Sequence, residues 1–345
     1  MTTLADLDLH PGIQRWIARL SEISPGIPDI DSPDPIRQRL AARVLSDRLA
    51  VDFTLPIPDG VEIIDHEFDG PGGRLTMRRY RAIDAPRLAP TQLWLHGGGF
   101  YAGTIDEILN DRLCARRALQ SGVQVFSLEY RLAPEHPYPA PELDAEAALR
   151  ALVADPDGFG VDPDRLGIGG NSAGAAIAAS TALRLRGASG IRLHHVDLEV
   201  PPLAMRRVGQ AAIDYAVGFG LDQLEQVVAL YTGPDGPADE FISPLDVDDL
   251  TGLPPTLITA AEHDPLRDSG IEYAARLRDA EVPVELIVHA GHLHGTPGIT
   301  AAFDGAADWQ LSHDERIAEV YGVPSARPTT PQHTQELDPI TPRRR

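Results

Sequence analysis

Ser172 sits in Gly170-Asn171-Ser172-Ala173-Gly174, a G-x-S-x-G pentapeptide between a short apolar run and an alanine-rich, helix-like one. A serine hydroxyl attacks a carbonyl only when a base takes its proton and the turn presents its oxygen. Glycines two before and two after the serine permit a sharp strand-to-helix turn whose crowded backbone rejects a Cβ. A hydrolase built on such a turn needs an acid and then a histidine downstream. Asp264 follows the apolar run Pro255 to Ala260, so it falls at the C-terminal end of a predicted strand, where ligand sites collect in open α/β sheets. His294 lies in Gly291-His292-Leu293-His294-Gly295, a glycine-flanked loop expected beyond a strand over Val284 to His289. The expected chemistry is acyl transfer, with Ser172 as nucleophile, His294 as base and Asp264 as its orienting carboxylate.

The oxyanion of a tetrahedral intermediate needs two or three donors aimed before reaction begins. Leu93-Trp94-Leu95 reads as a strand end, and His96-Gly97-Gly98-Gly99-Phe100 follows it. Successive glycines let backbone N–H groups turn inward, so Gly98 and Gly99, with Ala173 after the nucleophile, are the expected donors. A phosphate-loop reading fits poorly, because no G-K-[ST] follows and the G-x-G-x-x-G spacing is absent.

The elements that must carry these residues alternate as in an α/β sheet from about 51 to 322. Strands are predicted over Arg165 to Gly169 and Val196 to Val200, and helices over Ala173 to Leu185 and Ser269 to Ala280. Residues 1 to about 50 read as cap helices, broken at Pro25-Gly26-Ile27-Pro28, and an insertion spans about 202 to 240. Leu221 to Leu230 has helical spacing, ended by Tyr231-Thr232-Gly233-Pro234. Residues 323 to 345 hold five prolines and few large apolar side chains, a composition expected to be disordered.

These motifs together resemble the hormone-sensitive-lipase-like carboxylesterases, α/β-hydrolases with an H-G-G-G loop. The resemblance runs from about residue 60 to 296. It rests on His96 to Phe100, on Glu129-Tyr130-Arg131-Leu132-Ala133-Pro134-Glu135-His136-Pro137-Tyr138-Pro139-Ala140, on the elbow, on Ser243-Pro244-Leu245, on Asp264-Pro265-Leu266-Arg267-Asp268 and on Gly291 to Gly295. It implies the α/β-hydrolase fold, a mostly parallel sheet flanked by helices, with the N-terminal helices and the insertion joined as a cap over the serine. It implies hydrolysis of short- to medium-chain esters with no cofactor, and it favours Asp264 over the flanking Glu262 and Asp268 because Asp264 directly precedes Pro265. The Tyr130 to Glu135 segment is implied to brace the loops. Three positions depart from the family pattern: Asn171 stands for an aspartate, His292 for a methionine and Thr296 for a phenylalanine. Relatives often dimerise, so a homodimer is a further expectation.

Amidase, lactonase or carbamate hydrolase activity would use the same parts, and sequence does not separate them. A ligand-binding receptor on a dead hydrolase scaffold would have lost the serine or the histidine. Phe100, Tyr101, Tyr215 and Phe219 are candidate acyl-pocket residues. His289, His292 and His294 sit close together and H-x-H can bind zinc, but the pair needs a third and a fourth ligand, and the alternating run places His289 and His294 apart, so a metal site is not expected.

Composition sets limits on the partners. A net charge of −21 argues against nucleic acid or an anionic membrane. There is no lysine, which excludes Schiff-base chemistry. A single cysteine, Cys114, excludes an intrachain disulfide and is expected as a packed thiol. The first eight residues carry no basic segment or long apolar run, so the expected setting is cytoplasmic and the expected partner a small ester.

Overall fold

The computed structural model describes residues 2–187, 190–217, 222–237 and 239–324. Phe219 and residues 325–345 lie outside them. The described chain runs through helix α1 (Pro11–Ile23), α2 (Pro35–Phe53), strand β1 (Val61–Gly70), β2 (Gly73–Ala82), β3 (Ala89–Leu95), α3 (Ile108–Ser121) and β4 (Gln124–Leu128). It continues through α4 (Ala140–Ala154), α5 (Pro156–Phe159), β5 (Val161–Asn171), α6 (Ala173–Leu185), β6 (Val196–Glu199), α7 (Ala211–Asp214) and α8 (Leu224–Thr232). β7 (Thr256–His263), α9 (Arg267–Asp279), β8 (Val284–Leu293) and α10 (Asp304–Val320) complete it.

The strands form one sheet in the order β1-β2-β4-β3-β5-β6-β7-β8. β1 and β2 form an antiparallel hairpin at one edge, β2 also meets β4 antiparallel, and every later pair is parallel. All seven residues of β3 are buried, as both faces of a central parallel strand are covered; its two polar side chains are paired, Thr91 Oγ1 donating to Ala89 O and Gln92 Nε2 to Asp197 Oδ2 at 2.9 Å each. On one face α3 packs Cys114, Ala115 and Ala118 against Tyr80 and Trp94, and α10 seats Trp309 against Val200 and Ala261. On the other, α4, α6 and α9 share the main core. Twelve of the thirteen residues of α6 are buried, and its alanines let it lie close to β5. The N-terminal helices form the cap. Ile13, Leu49 and Phe53 pack on Leu293 and Ile299, and Thr54 Oγ1 donates to Gly298 O at 2.8 Å. Among the described residues, no helix is long and apolar enough to cross a membrane.

Several boundaries differ from expectation: β5 begins at Val161, four residues before Arg165, and β7 runs to His263, three beyond Ala260. β8 does not stop at His289 but continues to Leu293 through a bulge: β7 advances two residues, Ala261 to His263, while β8 advances four, His289 to Leu293. Gly291 takes φ +73° there, and Glu262 Oε2 accepts its N–H at 2.7 Å. The helix of the insertion runs past Leu230 through Tyr231 to Thr232, closed by Gly233 at φ +77°. Val323, expected to begin the tail, belongs to the folded body: its N–H donates to Ala318 O at 2.8 Å and it packs on Val123, Ile317 and Tyr321.

Candidate active site

β5 delivers the chain to Ser172, which holds φ +52°, ψ −122° before α6 begins. A non-glycine residue in that region is strained and persists only where its surroundings enforce it. Here they do. A Cβ on Gly174 would lie 2.0 Å from Leu95 O, and one on Gly170 would lie 2.5 Å from the Gly174 carbonyl carbon. The Ser172 N–H donates to Glu199 O on β6 at 2.8 Å, and Ser172 O accepts from Ala175 and Ala176. The serine is thus presented by backbone packed on backbone.

His294 follows the β8 bulge, and its Nε2 stands 2.9 Å from Ser172 Oγ. Its Nδ1 stands 2.8 Å from Asp264 Oδ2. An ionised carboxylate only accepts, so Nδ1 carries the proton and Nε2 offers a lone pair to the serine hydroxyl. Asp264 is 1% exposed, His294 19%. Asp264 Oδ1 accepts the Leu266 N–H at 2.8 Å, which fixes the carboxylate plane. Burial alone would lower the His294 pKa; the charge and hydrogen bond of Asp264, then the charge of Glu199, outweigh it, and the net shift is upward. The rival acids are engaged elsewhere, Glu262 on the bulge and Asp268 on the Ala211 N–H and Arg267.

The glycine loop lies against the elbow: a Cβ on Gly97 would be 3.1 Å from Asn171 Nδ2 and 3.4 Å from Ser172 Cβ. Gly98 and Gly99 hold φ +129° and +60°. The N–H groups of Gly98, Gly99 and Ala173 find no acceptor among the described residues. Tyr130 anchors the loop, donating its OH to His96 O at 2.7 Å and stacking on the His96 ring. Arg131 is tied to Asp144, and Glu135 to Arg39.

The profile of the family Abhydrolase_3, described as alpha/beta hydrolase fold, matches residues 92–297. The chain belongs to Abhydrolase_3. It is 33% identical over 285 residues to the esterase LipI of Mycobacterium tuberculosis, covering 75% of this chain and 88% of that one. Among solved structures, a serine-to-alanine variant of LAE6, an alpha/beta hydrolase enzyme from the metagenome of Lake Arreo, superposes with a TM-score of 0.82 at 31% identity. That match covers 91% of this chain and 99% of that one. A bacterial heroin esterase superposes at 0.77 with 32% identity, over 90% and 98% of the two chains.

Within this Abhydrolase_3 chain the expected pocket aromatics separate. Phe100 is not on a free surface: it is 3% exposed and stacks on Tyr231 at 3.8 Å. Its φ of +66° turns the ring into the core, where it braces the glycine loop. Tyr101 is half-buried, with its ring edge and Val227 of α8 flanking Gly99. The Tyr215 hydroxyl meets His263 Nδ1 at 3.1 Å, one residue before Asp264. The three histidines do not converge on one point, although His289 and His292 both pack on Trp309. His289 stacks on Trp309 at 3.9 Å, His294 faces Asp264, and His292 Nδ1 bonds Thr296 Oγ1 at 2.8 Å. That last contact joins two of the departures from the family pattern. Thr296 Oγ1 also donates to Leu293 O at 2.9 Å and accepts the Leu293 N–H at 3.0 Å, clamping the turn around His294. Burial pushes His292 down to about 4, so its ring is neutral and donates from Nδ1.

Sequence reasoning missed Trp16, whose ring edge lies 3.0 Å from where a Gly295 Cβ would stand. It also missed Val227. Each reaches the site from a distant element, and an amphipathic cap helix carrying a tryptophan was the one signal available.

Proposed function

We propose that this carboxylic ester hydrolase cleaves short- to medium-chain esters by two-step acyl transfer on Ser172. His294 Nε2 takes the hydroxyl proton as Oγ attacks the ester carbonyl. Asp264 keeps the imidazole in the required tautomer and stabilises the imidazolium. Charge developing on the carbonyl oxygen meets the Gly98, Gly99 and Ala173 N–H groups, which act without reorganising. His294 then protonates the leaving alcohol, and water repeats the sequence on the acyl-enzyme. The observation that carries this reading is the pair of contacts at 2.9 and 2.8 Å linking Ser172, His294 and Asp264. Its support from relatives is the esterase LipI and the heroin esterase, both above 30% identical. A cytoplasmic setting fits the lone, buried Cys114 thiol.

The test is hydrolysis of p-nitrophenyl esters from acetate to laurate beside matched anilides. Turnover should peak at short acyl chains, and Ser172→Ala should lower kcat on the order of a million-fold. Retained turnover in that variant, free of contaminating esterase, sinks the assignment. A serine that a fluorophosphonate labels but no ester acylates would redirect the substrate to amides, lactones or carbamates.

A further inference from the structure

Glu199 ends β6 at the register position beside Asn171, is 3% exposed, and is not part of the relay. Its backbone oxygen already holds the Ser172 N–H. Its side chain is held from behind the sheet. Gln310 Nε2 on α10 donates to Glu199 Oε1 at 2.9 Å and to Pro297 O, three residues beyond His294, at 3.3 Å. The amide orientation is fixed from the other side, where Gln310 Oε1 accepts from Arg117 Nη2 at 3.2 Å. Arg117 can only donate, so His313 Nδ1, 3.0 Å away, bears a lone pair, and its Nε2–H donates to Asp197 Oδ1 at 2.7 Å. Arg117 also lies over Trp94 at 3.8 Å and reaches Asp314 at 3.3 Å. Three buried carboxyl groups therefore face one guanidinium. Ionised groups so enclosed cost several kcal/mol each unless their partners compensate.

We propose that Glu199 is a positioning residue for the hydrolysis: a second buried acid beside the elbow, tied through the Gln310 amide to the turn that carries His294. This rests on Ser172 and His294 being nucleophile and base. Among the described residues, the charged groups that raise the His294 pKa are Asp264, beyond β7, and then Glu199 on β6. Gln310 on α10 is uncharged, with Arg117, His313, Asp197 and Asp314 behind it. His292, within the same turn, is neutral. Asp197 is saturated by His313 and by Gln92 Nε2 at 2.9 Å, which leaves Glu199 as the acid nearest the elbow from this side. The upward shift of His294 carries a contribution from Glu199 as well as from Asp264. Gln310 supplies a mechanical link besides, because one amide nitrogen holds both Glu199 and the turn after the base.

Glu199→Gln keeps the shape and can still accept from Gln310 while removing the charge. It should move the acid limb of kcat/KM down by on the order of half a pH unit, lower kcat about threefold, and leave KM unchanged. A proton NMR titration of the His294 ring in the Ser172→Ala protein, with and without Glu199→Gln, should show the same downward shift without relying on turnover. Glu199→Asp, shorter but charged, should restore part of it. Superimposable titrations, or a drop in kcat and Tm with the limb unmoved, would mean a structural role only and overturn the proposal. Loss of activity in Ser172→Ala and His294→Ala beside an unshifted Glu199→Gln profile fails this proposal alone; full activity in both fails the reading beneath it.

Discussion

On the Ser172 side of the relay, position is set by backbone against backbone; on the His294 side it is set by side-chain hydrogen bonds. The elbow tolerates no Cβ at Gly170 or Gly174, and its serine N–H is spent on Glu199 O. The base stands on a bulge held by Glu262, a turn clamped by Thr296, a carboxylate behind it and Trp16 beside it. The first arrangement is all-or-none, because a displaced backbone has nowhere to go. The second is graded, since each contact can be weakened separately. In the proposed mechanism the nucleophile thus lies on the rigid side and the base on the adjustable one.

Substitutions can break or sharpen this contrast. After Ser172→Ala, the largest effect belongs to Asp264→Asn, which should cost about ten-thousand-fold in kcat by misplacing the tautomer; if Glu262→Gln does this instead, the acid is wrongly identified. Next is Gly174→Ala, whose methyl must displace Leu95 O. We expect about a hundredfold loss of kcat/KM and roughly 1–3 kcal/mol of stability, read by steady-state kinetics and urea unfolding. Near-normal values would show the elbow to be more compliant than the base. Thr296→Val keeps the shape but strips the hydroxyl from His292 and Leu293. A cost of about 1–2 kcal/mol and a roughly tenfold lower kcat should follow, with no change in KM. The smallest signal is the pH profile. His294 is a base only when unprotonated, and its folded pKa lies above the ordinary 6.5. The kcat/KM of the unaltered protein should therefore fall as pH drops through a value above 6.5, and a limb below it would contradict the field described here.

The same contrast explains what the sequence made legible. α6 occupies Ala173–Leu185 as expected, because elbow glycines and an alanine run are local signals. The Gly98 and Gly99 conformations are equally local. β8 was harder: Gly291 reads as a terminator, and only Glu262, on the neighbouring strand, turns it into a bulge inside the strand. Phe100 reads as a pocket wall because its partner Tyr231 lies far along the chain. Trp16 and Gln310 reach the turn after His294, at Gly295 and Pro297, from opposite ends of the described chain. Residues that act through side-chain contacts at long sequence separation are the ones sequence reading loses.

The cap has a consequence in time. Thr54 bonds Gly298 across 244 positions, and Ala301 N–H closes onto Phe53 O. During synthesis, at roughly 5–20 residues per second, α2 can dock on α3 and on Glu135 through Arg112 and Arg39, but the seat that α1 shares with Leu293, Ile299 and Ala306 is complete only when that later segment has left the ribosome. The nascent sheet and its serine elbow can form while α1 is still waiting for its seat. Trp16 and the His294 turn therefore meet only after that segment is made, so a nascent chain released earlier would leave its serine without the base and without the α1 side of its cover.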